Sequence, residues 1–238
     1  MHNFYAVVLE DEQDMVEVIE AALEAEGFDV AHALDGQTGW ELLKEHIPHL
    51  IVLDIGMPGL DGLTVCQKVR SNPAYDRTPV LFVTAFKDAE DVARGLDMGG
   101  DDYIPKPFQV REFQARVRVL MRPYQRVLPP EPEDSNENIL QVGELTLDSA
   151  AFLITTPQTS SRLTSTEHRL LAYMMEHAYE ELPSSQLLEA VWEYPEGTGD
   201  LDLVRAHVYN LRLKMEVDSN TPRYIRTIHG LGYKLVGR

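Results

Sequence analysis

Positive charge, cysteine and long apolar runs are all scarce in this chain. Its 21 lysines and arginines stand against 39 aspartates and glutamates, a net charge of −18. That deficit argues against a protein that holds nucleic acid or membrane by bulk electrostatic attraction. The single thiol, Cys66, excludes a disulfide framework within the chain and fits a reducing compartment. Its place in the pattern Leu63, Val65, Cys66, Val69 marks it as a core side chain. No apolar stretch approaches the roughly 18 residues that span a bilayer. Glu10, Asp11 and Glu12 interrupt the first apolar run, which argues against a secretory leader. A cytoplasmic protein without membrane contact is the expectation. What remains is ordinary: 238 residues, 44% hydrophobic and 25% charged, enough for one or two cored domains.

Residues 1–122 alternate short apolar runs with helical spacing. Phe4 to Leu9, Phe28 to Ala33, Leu50 to Leu53, Val80 to Val83 and Asp102 to Ile104 read as strands. Between them Val16, Ile19 and Leu23, then Trp40, Leu43 and Ile47, recur at helical spacing. Further helices are expected from about Asp61 to Ser71 and from about Ala89 to Met98, and one carrying Phe113, Val117, Leu120 and Met121. Five βα units in about 120 residues pack as a doubly wound, five-stranded parallel sheet with helices on both faces.

Polar residues gather where these strands end: Glu10 and Asp11, Asp54, Thr84 and Lys106. Adjacent strand ends of such a sheet converge on one crevice. Carboxylates crowded there repel one another unless a cation sits among them, and an oxygen-rich site with room for water suits Mg²⁺. Asp54 could then act as a nucleophile toward a phosphoryl group, with Lys106 and the Thr84 hydroxyl holding the new oxygens. The alternative for Lys106 is a purely structural ion pair, and for Thr84 a plain strand-end side chain.

Residues 1–122 resemble a response-regulator receiver domain, flavodoxin-like in fold. The resemblance rests on Glu10-Asp11, on Asp54 before Met57-Pro58-Gly59-Leu60-Asp61-Gly62, on Thr84-Ala85, and on Asp101 to Phe108. It implies that Asp54 accepts phosphate from a sensor histidine kinase. It implies that Asp11, Asp54 and the Gly56 carbonyl bind Mg²⁺, with Glu10 helping through water, and that Thr84 and Tyr103 are a switch pair. It also implies a cis peptide at Lys106-Pro107. Gly56 and Phe86 depart from the usual residues and bear on the phosphoryl lifetime. The family further implies a homodimer formed on phosphorylation through ion pairs among Arg94, Asp97, Asp101, Asp102, Glu112, Arg116 and Arg118. Val92 stands where a basic partner for Glu112 is common.

Residues 123–138 carry Pro123, Pro129, Pro130 and Pro132 among acids, the composition of an extended connector. Residues 139–238 begin with β signals at Leu145 to Asp148 and Phe152 to Thr155. Three helices follow, opened near Leu163 to Glu167, by Ser184 to Gln186, and after the acidic Gly-containing loop Pro195 to Asp200. Tyr224 to Ile228 and Tyr233 to Val236 then flank Gly230-Leu231-Gly232 as a hairpin. Three helices and a hairpin make a winged helix-turn-helix. The motifs Leu163 to Leu171 and Tyr224 to Tyr233 are similar to those of OmpR/PhoB-type regulators. The resemblance implies a bacterial transcription factor whose third helix enters the major groove of double-stranded DNA, with RNA polymerase as a further partner.

Charge is uneven in this half. Residues 204–238 carry seven bases and two acids, whereas residues 136–203 carry two bases and twelve acids. With Val204, Val208, Leu211 and Met215 buried, the opposite helix face would hold Asp202, Leu203, Ala206, Tyr209, Asn210 and Leu213. Candidate DNA contacts are Arg205, Ala206, Tyr209, Asn210, Arg212, Lys214, Arg226, Thr227 and His229. Asn210 would read adenine, and Ala206 would meet a thymine methyl. Two other functions compete. A phosphatase with an aspartyl nucleophile usually needs a second Asp two residues on, where Gly56 stands. A regulator acting by protein contact would use the acidic surface and the apolar third-helix face.

Overall fold

The structure, a computed structural model, describes residues 4–85, 94–125 and 138–238. It divides into two compact units, 1–125 and 126–238. The parts of the sequence reading that involve Phe86, Val92 and most of the connector lie outside the described residues, as does the start of the helix expected from Ala89; residues 94–97 are helical.

In the first unit β1 (Phe4–Leu9), β2 (Phe28–Ala33), β3 (Leu50–Leu53), β4 (Val80–Thr84) and β5 (Asp102–Pro105) form a parallel sheet in the order β2-β1-β3-β4-β5. Helices α1 (Gln13–Glu24), α2 (Gly36–Glu45), α3 (Gly62–Arg70) and α4 (Val110–Gln125) cover it. Successive strand residues point to opposite faces, so one run of apolar residues feeds two cores. Ala6, Val8, Leu50, Val52, Leu81 and Val83 meet Ile19 and Leu23 of α1 and Phe113, Val117 and Leu120 of α4. Val7, Leu9, Ile51, Leu53, Val80 and Phe82 meet Leu43 of α2 and Val65, Cys66 and Val69 of α3. Asp35 and Asp61 accept from Thr38 N and Thr64 N and so cap α2 and α3. Gly62 opens α3 because a Cβ there would meet the Asp54 carbonyl oxygen at 2.0 Å.

The second unit starts with an antiparallel sheet of β6 (Ile139–Val142), β7 (Leu145–Asp148), β8 (Leu153–Thr155) and β9 (Ser160–Arg162). Helices α5 (Ser165–Glu176), α6 (Ser184–Trp192) and α7 (Leu201–Met215) pack against one another, and α7 also packs on β9. Thr164 and Glu167 form a reciprocal capping box at the start of α5. Pro183, not a serine, is the N-cap of α6. The hairpin of β11 (Ile225–Ile228) and β12 (Gly232–Leu235) is joined by β10 (Leu182–Pro183).

Two charged residues of the α7 segment fasten this hairpin. The Glu216 carboxylate accepts from the backbone N–H groups of Arg223 at 2.8 Å, Tyr224 at 2.7 Å and Ile225 at 2.9 Å. The Arg212 guanidinium donates to the Ile225 carbonyl at 3.0 and 2.7 Å and to Thr227 Oγ1 at 2.8 Å. It also lies 5.7 Å from the centre of the Tyr233 ring.

Candidate functional site

Asp54 follows the last residue of β3, and its buried side chain sits in the crevice beside the end of β1. Its Oδ1 accepts from Gly56 N at 3.0 Å, and its Oδ2 accepts from Lys106 Nζ at 2.7 Å. The same ammonium donates to Glu10 Oε1 at 2.7 Å. It lies 2.7 Å from Glu10 Oε2 as well, but that oxygen accepts no directed hydrogen bond and keeps lone-pair capacity for a cation. Glu12, more exposed, stands 3.7 Å from Lys106 Nζ. Glu10, Asp11 and Asp54 each bring a carboxylate oxygen within 4.8 Å of the others; Glu10 and Asp54 are buried and Asp11 is exposed. This hard, anionic oxygen set fits Mg²⁺.

Electrostatics follow from that packing. Burial disfavours the Lys106 ammonium, but hydrogen bonds from it to Asp54 and Glu10, with their charges, lift its pKa above the ordinary value. Burial raises the pKa of Glu10; the Lys106 hydrogen bond opposes that rise and the Asp54 charge adds to it. Thr84 is buried at the end of β4, and its carbonyl accepts from Lys106 N at 2.8 Å. Tyr103 pairs with Phe82 across β4 and β5, and Thr84 pairs with Pro105. Thr84 and Tyr103 therefore lie on the same face of neighbouring strands, where the tyrosine is half-buried. The Lys106-Pro107 peptide is cis.

Four of the residues expected on a dimer face make contacts within the protomer. Asp101 is fully buried; its Oδ2 accepts from Arg70 Nη2 at 2.7 Å and from Val80 N at 2.9 Å. Arg70 also donates to the carbonyls of Gly99, Tyr75 and Thr78, so this pair ties α3 to the segments that lead into β4 and β5. Asp102 and Arg116 are buried, with Arg116 Nε 3.9 Å from Asp102 Oδ2. Arg118 pairs with Glu26 at 2.6 Å. Arg94, Asp97 and Glu112 are exposed.

The expected DNA-reading face is also corrected. Leu203, Ala206 and Asn210 are buried, as is His207, whose ring lies 5.1 Å from that of Trp192. Asn210 and Ala206 thus do not stand on an exposed reading face. The helix is covered from α5, α6 and β9 at once, so its buried arc is wider than one apolar stripe. Lys214 donates to Glu167 Oε2 at 2.6 Å, and Arg212 with Thr227 belongs to the hairpin clamp. Arg205, Tyr209, Arg226 and His229 are exposed. Sequence reasoning missed the clamping role of Glu216. Its only signal is an acid just past a helix end, which looks like any solvated charge.

Residues 6–118 match the family model described as response regulator receiver domain, and residues 158–235 the one described as transcriptional regulatory protein, C terminal. The chain is 36% identical over 235 residues to the alkaline phosphatase synthesis transcriptional regulatory protein PhoP of Bacillus subtilis, covering 98% of this chain and 97% of the relative. The chain belongs to the OmpR/PhoB family of response regulators. The transcriptional regulatory protein AfsQ1 of Streptomyces coelicolor is 38% identical over 229 residues, 96% of each chain. The response regulator DrrB of Thermotoga maritima, a solved OmpR/PhoB homolog, aligns over 99% of this chain and 100% of its own with a TM-score of 0.50 and 28% identity. As an OmpR/PhoB regulator, the chain joins a phosphorylatable receiver to a DNA-binding domain and is a transcriptional regulator of the two-component class. Among its described residues no helix is long and apolar enough to cross a membrane.

Proposed function

We propose that Asp54 is the phosphoacceptor of this regulator and that a sensor histidine kinase is its donor. The observation that carries the reading is the Lys106 ammonium held 2.7 Å from Asp54 and 2.7 Å from Glu10 at a crevice rimmed by Asp11. A carboxylate oxygen of Asp54 attacks the phosphorus of the donor's phosphohistidine. The P–N bond breaks, the electron pair leaves with the imidazole nitrogen, and an acyl phosphate remains. Lys106 and the Thr84 hydroxyl donate to the new phosphoryl oxygens. Glu10, Asp11, Asp54 and the Gly56 carbonyl would hold Mg²⁺, which supplies positive charge against the phosphoryl oxygens.

Thr84 then turns toward the phosphoryl group and Tyr103 follows on the same sheet face, the switch that favours a homodimer. Arg94, Asp97, Glu112 and Arg118 are the exposed charges of the expected dimer set. The dimer sets two winged helices on tandem half-sites of double-stranded DNA, and RNA polymerase is the partner downstream. The chain acts in the bacterial cytoplasm and loses its phosphoryl group by slow hydrolysis. Incubation with a small acyl phosphate and Mg²⁺ should add one phosphoryl group by mass, and chelating the metal should stop it. An Asp54→Asn protein that gains the group at the wild-type rate would falsify the assignment.

A further inference from the structure

We propose that this protein reads thymine methyl groups, and that the stretch of each half-site met by α7 is thymine-rich with a single guanine. The inference rests on the DNA-binding reading above. At about 100° per residue, the exposed strip of α7 covers an arc of roughly 120°. It carries Leu201, Tyr209 and Leu213, which are 48%, 44% and 56% exposed. Between them stands the Arg205 side chain, 74% exposed and 2.6 Å from Asp202. Asn210 and Ala206 are turned into the core, Arg212 is bound to the hairpin, and Lys214 is bound to Glu167.

A helix with this strip has little with which to hydrogen-bond base edges. The thymine C5-methyl is the apolar group that a base pair offers in the major groove, and it matches leucine and the tyrosine ring. Arg205 has the fork that matches guanine O6 and N7. The surroundings select a duplex rather than an apolar protein surface as the occupant. Arg226 and Lys234 are paired across the hairpin, and exposed His229 and Arg238 lie in the same C-terminal segment. Arg226, Lys234 and Arg238 are the cations there, and they suit a polyanion.

The test uses the full-length protein phosphorylated with a small acyl phosphate. Sites are selected from random duplexes, and each thymidine of a selected site is then replaced by deoxyuridine, which lacks only the methyl group. At contacted positions affinity should fall roughly fourfold each, the loss expected for one methyl group no longer buried. Leu213→Ala and Tyr209→Ala should erase the deoxyuridine penalty at the positions they touch. Arg205→Ala should relax the preference at one G·C pair. Tight binding with no deoxyuridine penalty anywhere, or selected sites without thymine where α7 docks, overturns this inference and leaves the DNA-binding reading intact. Retention of no duplex even at low salt removes both, and the strip is then a protein-docking face.

Discussion

Glu216 shows how much one carboxylate can hold. It satisfies three backbone N–H groups at the start of the hairpin, and charge-assisted bonds of this kind are the stronger ones. Glu216→Ala should strand those donors and cost the C-terminal unit about 3 kcal/mol. Urea unfolding followed by the fluorescence of fully buried Trp192, in a Trp40→Phe background, measures this. A loss below about 1 kcal/mol would show that water replaces the carboxylate. Cys66 bears on pH. Burial pushes its thiol up to about 11, so between the ordinary value of 9.0 and that point the folded chain keeps a proton that the unfolded chain loses. Stability therefore falls as pH rises through this window, by about 3 kcal/mol in all. Cys66→Ala should show a shallower decline between pH 9 and 11 in the same denaturation assay, and an unchanged slope would contradict the cause.

Among the elements, the central strands were the most legible. Leu50–Leu53 and Val80–Val83 are apolar and buried on both faces, as is the Ala6–Leu9 part of β1. The acidic crevice was legible for the same reason, because strand ends fix where Asp54, Glu10 and Lys106 must meet. Strands β6 and β9 were not legible. Ile139–Val142 and Ser160–Arg162 are held by ladder pairing with β7 and β8, with little apolar burial to mark them. Helix α7 misled because a single stripe was assumed where three elements cover it. Asp101 misled because its partner, Arg70, lies too far away in sequence for any spacing rule to pair them. At the hairpin, exposed Gly230 takes φ +74° beside exposed His229. His229→Arg adds a permanent charge at that turn and should tighten operator binding severalfold in a mobility-shift titration at neutral pH. No gain from the arginine would mean that the turn stays clear of the phosphates.

Over the whole molecule, charge opposes the function it accompanies. A chain of net charge −18 must approach a polyanion, and its favourable field is confined to residues 204–238. Arg212 and Lys214 are committed to contacts within the fold, and Arg223 lies 2.8 Å from Glu144. Arg205 lies 2.6 Å from Asp202 and is assigned to a base edge above, so Arg226, Lys234 and Arg238 leave about three phosphate contacts per subunit and a slope of log affinity against log salt near −3 per subunit. A salt series on the phosphorylated protein measures it, and a slope equivalent to about eight phosphates per subunit would place the DNA surface elsewhere. The clamp between α7 and the hairpin has a consequence for the operator. Anchored by Glu216 and Arg212 at both the N–H and C=O sides of β11, helix and wing form a caliper of fixed opening. A base pair inserted between the stretches the two jaws touch displaces one of them by about 3.4 Å along the duplex. On the DNA-binding reading proposed above, the caliper should not stretch to absorb that step, and the inserted base pair should weaken binding.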